Sequence, residues 1–262
     1  MNLITLTTDF GTSDWFVGAM KGVILGINPK ARVVEITHSI PTGDIRAGAF
    51  VLASCFRYFP PQTIHVVVVD PGVGGPRRSV VVQTERYGFI APDNGLVSWA
   101  LANESVIRIH QITNESLFLR PVSQTFHGRD VFAPVAARLS KGFPARRVGP
   151  SLDDFVRLDW PKPRVRSSSA VGEIIYIDRF GNAITNLNAP DLTTLDPARC
   201  EIYVRGRRPF GMAAFYQAVS RGQPSALLGS SGFLEIAVNG GSASKSLRLK
   251  IGDPVTVRQR RP

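Results

Sequence analysis

Apolar residues follow two patterns in the first part of the chain. Short uninterrupted runs, rich in β-branched residues, occupy 3–8 (LITLTT), 32–37 (RVVEIT), 64–69 (IHVVVV) and 79–83 (SVVVQ). Continuous rather than alternating apolarity predicts strands covered on both faces. Between them, 14–27 (DWFVGAMKGVILGI) and 44–59 (DIRAGAFVLASCFRYF) repeat apolar residues at helical spacing, and each opens on an acidic residue that suits a helix N-terminus. A further helix is predicted over 130–141 (DVFAPVAARLSK), with Pro134 near its first turn. The β-α-β-α-β alternation predicts a mostly parallel sheet with covering helices.

The pattern changes near 150–170. PSLDDFVRLDWPKPRVRSSSA carries prolines at 150, 161 and 163 and a serine run, which reads as an extended linker. Beyond it come 171–177 (VGEIIYI), 183–187 (AITNL), 201–205 (EIYVR), 226–238 with a Gly-Ser interruption, and 254–258, separated by Gly, Asn and Pro signals. That spacing predicts a small antiparallel β-barrel or sandwich. The expected organisation is an α/β domain over 1–165 and a smaller β domain over 166–262.

Composition narrows the class. A 44% hydrophobic share against 19% charged residues argues against disorder or a fibrous architecture and predicts a folded, soluble protein. The start MNLITLTTDF lacks a basic region and a cleavage site, and no stretch approaches the roughly 18 apolar residues of a membrane span. A cytoplasmic protein is expected. Cys55 and Cys200 are the only cysteines, which disfavours a disulfide framework or structural zinc and predicts two buried thiols.

The net charge of +11 raises the question of nucleic acid, since clustered Lys and Arg release counterions from phosphate. The clusters are short and scattered: Arg77-Arg78, Arg146-Arg147, Arg205 with Arg207 and Arg208, and Arg258 with Arg260 and Arg261. Without aromatic interleaving or a basic helical stripe, they read as solvated surface.

Candidate chemistry gathers where strands end, because loops beyond the carboxyl ends of an open parallel sheet are free to carry polar groups. The first predicted strand runs into Thr8-Asp9-Phe10-Gly11 and the third into Asp70-Pro71-Gly72. A single strand-end Asp is about as often a turn residue. The stretch 70–78 (DPGVGGPRR) is the most informative, since its glycines and prolines bring a carboxylate and a guanidinium together in a tight loop. It lacks the third glycine of a dinucleotide fingerprint and the GK[ST] of a phosphate loop. TFHGRD at 125–130 offers His127 just ahead of a predicted helix. His38, His65 and His110 show no paired spacing, so no metal site is expected. GSSG at 229–232 is one residue short of a GxSxG elbow. IDRFGN at 177–182 and NGG at 239–241 read in isolation as hairpin tips.

Taken together, TTDFG (7–11), NPKARVVEITHSI (28–40), VVDPGVGGPRR (68–78), APDNGL (91–96), TFHGRD (125–130), IDRFGN (177–182) and SSGFLEIAVNGGSAS (230–244) resemble the S-adenosylmethionine hydrolases (hydroxide adenosyltransferases), relatives of fluorinase and chlorinase. The blocks occur in family order across nearly the whole chain. The resemblance implies hydrolysis of S-adenosylmethionine (SAM) to adenosine and methionine by attack of water or hydroxide on C5′, with SAM as substrate and no cofactor. It implies a catalytic triad at Asp70, Arg77 and His127, with Arg78 as the alternative if the loop register shifts. It places Asp9 on the ribose hydroxyls, Asn182 on the adenine edge, Phe215 on the adenine face, Asp14 and Asp178 on the methionine ammonium, and Ser230 and Ser231 on the carboxylate.

Family members are typically trimers with sites between subunits, so a homotrimer is expected. Halogenating relatives carry an arginine where Ser231 stands, tyrosines at the equivalents of Asp70 and His127, and, in fluorinase, a halide-binding serine at Gly128. This chain matches the water-using pattern at these positions. A non-catalytic SAM or adenosine binder and a halogenase are the alternatives.

The residue types suit the chemistry. The sulfonium is an excellent leaving group, so the difficulty lies with the nucleophile: bulk water has a pKa of about 15.7, which adjacent positive charge lowers. Arg77 stays charged at any working pH, Asp70 positions it, and His127 would orient the water or accept its proton. Phe10, Trp15 and Phe16 are available as apolar walls.

Overall fold

The computed structural model describes residues 3–207 and 209–260; Arg208 and Arg261 of the basic clusters lie outside them. The chain divides into two compact units, Met1–Asp159 and Trp160–Pro262.

The first unit is built on strands β1 (Leu3–Thr8), β2 (Arg32–Thr37), β3 (Ile64–Val68), β4 (Ser79–Thr84), β5 (Gly88–Pro92), β6 (Val106–Gln111) and β7 (Ser151–Leu152), and on helices α1 (Phe16–Ile27), α2 (Ile45–Cys55) and α3 (Ala133–Ser140). The seven strands form one sheet in the order β2-β1-β3-β5-β4-β6-β7. β2, β1, β3 and β5 run parallel, while β4, β6 and β7 are antiparallel additions. Both faces are covered at the centre of the sheet, whereas β2, expected to be covered on both faces, is an edge strand with no buried residue. Ile4, Leu6, Val66 and Val68 pack with Met20 and Ile24 of α1 and with Ala133, Ala136 and Ala137 of α3. The alternate positions face α2, where Gly48 lets the helix close on Val69 and Leu96: a Cβ there would lie 2.7 Å from Leu96 and 3.1 Å from Val69. Helices following adjacent parallel strands thus lie on opposite faces, the arrangement that opens a crevice at the carboxyl ends of β1 and β3.

Local chemistry explains the helix boundaries. Asp44 caps α2 by accepting from the Ala47 N–H at 2.9 Å. α1 starts two residues later than its acidic residue suggests: Trp15 occupies the cap, with no side-chain bond. The third helix is split. Gly128–Phe132 forms a π turn before α3, and Pro134 has no N–H for the Asp130 carbonyl. That carbonyl accepts from Leu119 N instead, at 2.9 Å.

The region read as a linker is extended but fastened to the first unit. Val156 N donates to Asp93 Oδ1 at 2.7 Å, Leu158 N to Ser98 Oγ at 3.0 Å, and Trp99 Nε1 to the Leu158 carbonyl at 3.3 Å. Of the two cysteines, Cys200 is buried and Cys55 half-buried.

The second unit is a single eight-stranded antiparallel sheet made of β8 (Arg164–Arg166), β9 (Ser169–Ile177), β10 (Ala183–Asn188), β11 (Cys200–Val204), β12 (Phe210–Gly211), β13 (Pro224–Leu228), β14 (Phe233–Val238) and β15 (Pro254–Gln259), with the short helix α4 (Ala243–Ser246). The order is β12-β11-β15-β9-β10-β14-β13, with β8 also on β9. A bridge between Met212 and Ala226 brings the two ends together, so the sheet is a nearly closed barrel filled by Ile174, Leu187, Ile202, Leu234, Ile236 and Val257. Among the described residues no helix is long and apolar enough to cross a membrane.

Candidate active site

β3 ends at Val68, and two residues later Asp70 stands at the rim of the sheet. The glycine- and proline-rich loop then doubles back and delivers Arg77 just before β4. Arg77 Nε lies 3.0 Å from each Asp70 oxygen, Nη2 donates to Asp70 Oδ2, and Nη1 donates to Ser79 Oγ at 2.9 Å. The side chains are 5% (Asp70) and 13% (Arg77) exposed, so the pair is shielded from solvent and its geometry is held by several hydrogen bonds. The guanidinium carbon also sits 5.6 Å from the centre of the Phe132 ring.

His127 reaches the same point from fifty residues away. It sits at the N-terminus of the π turn, and its Nδ1 is 2.8 Å from Arg77 Nη2. A guanidinium has no acceptor, so Arg77 donates and Nδ1 carries the lone pair. The ring is therefore neutral with its proton on Nε2. Burial first, then the Arg77 charge, hold the His127 pKa below its ordinary 6.5, against smaller opposing pulls from Asp70 and Asp130.

A cleft of about 350 Å³ opens beside this cluster, lined by Asp9, Phe10, Phe16, Thr42, Gly43, Asp70, Pro71, Thr125 and Phe126. Asp9 thus shares the rim with Asp70; its Oδ2 accepts from Gly43 N at 2.8 Å. Phe10, Trp15, Phe16 and Phe126 form a connected aromatic group, in which Phe16 and Phe126 touch each other and both of the other rings, with centres 4.7–5.9 Å apart. Trp15 is 60% exposed, and Asp14 just before it is exposed as well. Arg78 is directed elsewhere: it pairs with Asp93 at 2.6 Å and Asp154 at 2.9 Å.

The remaining sequence candidates lie in the second unit. Asp178 and Asn182 close the β9–β10 turn on each other, with Asn182 N donating to Asp178 Oδ1 at 2.8 Å and Nδ2 to Oδ2 at 3.0 Å. Phe215 is exposed on a loop. Ser230 and Ser231 form the turn between β13 and β14; Ser230 is exposed, while Ser231 Oγ is buried without a partner among the described residues. Three residues not singled out from the sequence stand near these: Phe180, 75% exposed at the tip of the Asp178–Asn182 turn, and the hydrogen-bonded Tyr216 and Glu235. A lone acid inside the apolar run FLEIAV was the available signal for Glu235.

The model of the SAM hydroxide adenosyltransferase N-terminal domain matches residues 4–149, and that of the C-terminal domain residues 172–256. The chain belongs to the SAM hydroxide adenosyltransferase family. The chain is 38% identical to the (R)-S-adenosyl-L-methionine hydrolase of Salinispora tropica over 257 residues, 97% of each chain. It is also 38% identical to the enzyme of that name from Methanocaldococcus jannaschii, covering 98% of this chain and 96% of the other. A fluorinase from an Actinoplanes species is more distant, at 28% identity over 97% of each chain. A solved structure of an uncharacterized conserved protein from Thermotoga maritima superimposes with a TM-score of 0.92 at 38% identity, covering 98% of this chain and all of that one.

Proposed function

We propose that this chain hydrolyses SAM to adenosine and L-methionine by in-line attack of a water-derived oxygen on C5′. The observation that carries the reading is the hydrogen-bonded series Asp70, Arg77, His127 at the strand-end rim, in a chain similar along its whole length to SAM hydrolases. Incubation with SAM followed by chromatography tests it. Equimolar adenosine and methionine are expected; intact SAM after long incubation would favour a binding protein, and 5′-halogenated adenosine formed with added halide would favour the halogenase.

The hydrogen bonds define each role. Asp70 spends both oxygens on Arg77 and serves to position it. Of the five guanidinium N–H groups, only one on Nη1 is uncommitted among the described residues. The fixed positive charge of Arg77 favours hydroxide over water, as cations do. His127, with its proton on Nε2, donates to the attacking oxygen and orients it; it is not poised as a base while Nδ1 is held by Arg77, and the proton that the water gives up as the C5′–O bond forms passes to bulk solvent. The reaction so arranged calls on no cofactor, because the sulfonium leaves without assistance.

This assignment has a pH signature. Neutral His127 is the competent form, and its pKa is held below 6.5, so kcat/KM for SAM is expected to stay level downward through neutrality and to fall only below pH 6.5. His127→Gln should remove that acid limb. A limb above 6.5 tied to His127 contradicts the assignment.

Asp9, whose Oδ2 accepts from Gly43 N and whose Oδ1 has no hydrogen-bond partner among the described residues, is assigned to the ribose hydroxyls. Asp9→Ala is expected to raise KM about tenfold, the worth of one hydrogen bond to a charged group; an unchanged KM removes Asp9 from the ribose site. Asn182 and Phe215 are assigned to adenine, Asp14 and Asp178 to the ammonium, and Ser230 and Ser231 to the carboxylate. We further propose a homotrimer with active sites shared between subunits, supported by the location of the two residue sets in separate units. A fully active monomer in light scattering contradicts it.

A further inference from the structure

In β14, Leu234, Ile236 and Val238 fill the barrel, so Glu235 between them projects to the other face. It is nevertheless only 5% exposed, and the residues paired with it, Ile184 and Leu227, are apolar. A buried carboxylate in such surroundings is costly unless partnered. One oxygen is partnered: Tyr216 donates its hydroxyl to Oε1, a bond that, as the largest cause, pushes the Tyr216 pKa up to about 12 and keeps it a donor.

Oε2 accepts no hydrogen bond from any described residue. It lies against the backbone of Gly229, where any Cβ would collide with it, at the start of the turn that carries Ser230 and the buried, unpartnered Ser231 Oγ. Burial raises the Glu235 pKa, and Asp178 is close enough to raise it further, against a lowering pull from Tyr216. Two acids therefore stand close enough to influence one another, and Glu235 Oε2 has no hydrogen-bond donor among the described residues.

We propose that Glu235, oriented by Tyr216, is a further carboxylate for the ammonium of SAM, added to those of Asp14 and Asp178, and that it makes the site selective for the amino group. The inference rests on the function proposed above. An ammonium brings three donors. Asp178 already engages both of its oxygens with Asn182 at 2.8 and 3.0 Å, whereas Glu235 Oε2 is uncommitted. Gly229 is required at its position because the carboxylate occupies the space of a side chain.

The test compares kcat/KM for SAM with that for its deamino analogue, which keeps the sulfonium and carboxylate but lacks the amine. Glu235→Gln keeps the shape and an acceptor for Tyr216. It is expected to lower kcat/KM for SAM about 10–100-fold, the scale of a charge-assisted hydrogen bond, chiefly through KM, and to leave the analogue unchanged. Tyr216→Phe should give a smaller loss with the same selectivity, and melting curves of both variants establish folding. Equal losses on both substrates make Glu235 a structural prop of the turn and overturn the proposal, as does no loss on either. If the wild-type protein releases no adenosine, the reading of the reaction fails instead, and calorimetric binding of SAM against the deamino analogue to wild type and Glu235→Gln decides the ammonium site by the same pattern.

Discussion

Arg77→Ala is expected to lower the turnover of SAM about 10²–10³-fold, the loss associated with one preorganised electrostatic group at a developing charge. Arg77 connects the cluster: it donates to Asp70, Ser79 and His127 at once, so its removal takes away the charge that favours hydroxide and the contact that fixes the His127 tautomer. The substitution also strands Asp70, and an unpaired buried carboxylate costs about 3–5 kcal/mol. Arg77→Lys separates the two effects. A lysine can satisfy Asp70 as a point charge but cannot bridge three partners with a planar fork, so this variant should melt near the wild type and still turn over at least about tenfold more slowly. Single-turnover measurement of adenosine release checks both, and a folded Arg77→Ala variant with unchanged turnover removes Arg77 from the mechanism.

A large effect on stability is also expected outside the reacting groups, at Asp130. This residue is fully buried; it accepts from Arg129 Nε at 2.6 Å and Nη2 at 2.9 Å, and from Ser123 N at 2.8 Å. Asp130→Ala leaves a guanidinium and a backbone N–H without their acceptor beneath the turn that presents His127. A loss of about 3 kcal/mol is expected, at the lower end for a broken buried pair because Arg129 is partly exposed. That corresponds to a fall in Tm of roughly 10 °C, read by calorimetry, and an unchanged melt contradicts the structural role. Asp130→Asn, which keeps one acceptor oxygen, should lose less.

Much of the first unit is legible in the sequence because covered parallel strands need unbroken apolar runs, and β1 and β3 carry them; β2 forms where its pattern predicts a strand, but at the sheet edge, with none of its residues buried. Direction is not encoded in that signal: SVVVQ is as apolar as its neighbours, yet β4 runs antiparallel. β6, VIRIHQ, and the five-residue β5 fall below what periodicity resolves. The serine run hides the β8–β9 hairpin because strand pairing, not side-chain preference, sets Arg166 opposite Ser169. At the site, Asp70 and Arg77 share a loop whose composition announces a tight turn, while His127 joins them only through the fold. Glu235 is not legible in the sequence because one acid within an apolar strand says nothing of Tyr216, nineteen positions away.

Gly128 carries an evolutionary consequence. Its absent side chain is the space into which Phe10 and Met20 have grown: a Cβ at 128 would meet the Phe10 ring and the Met20 sulfur at 3.3 Å each. A lineage that exchanged water for halide by acquiring a hydroxyl here would first pass through a crowded intermediate, with overpacking of the kind that costs about 1–3 kcal/mol. A change at 128 therefore calls for a shift of a few tenths of an ångström by Phe10 or Met20, or a smaller residue at one of them, so the residues behind the glycine take part in any such exchange.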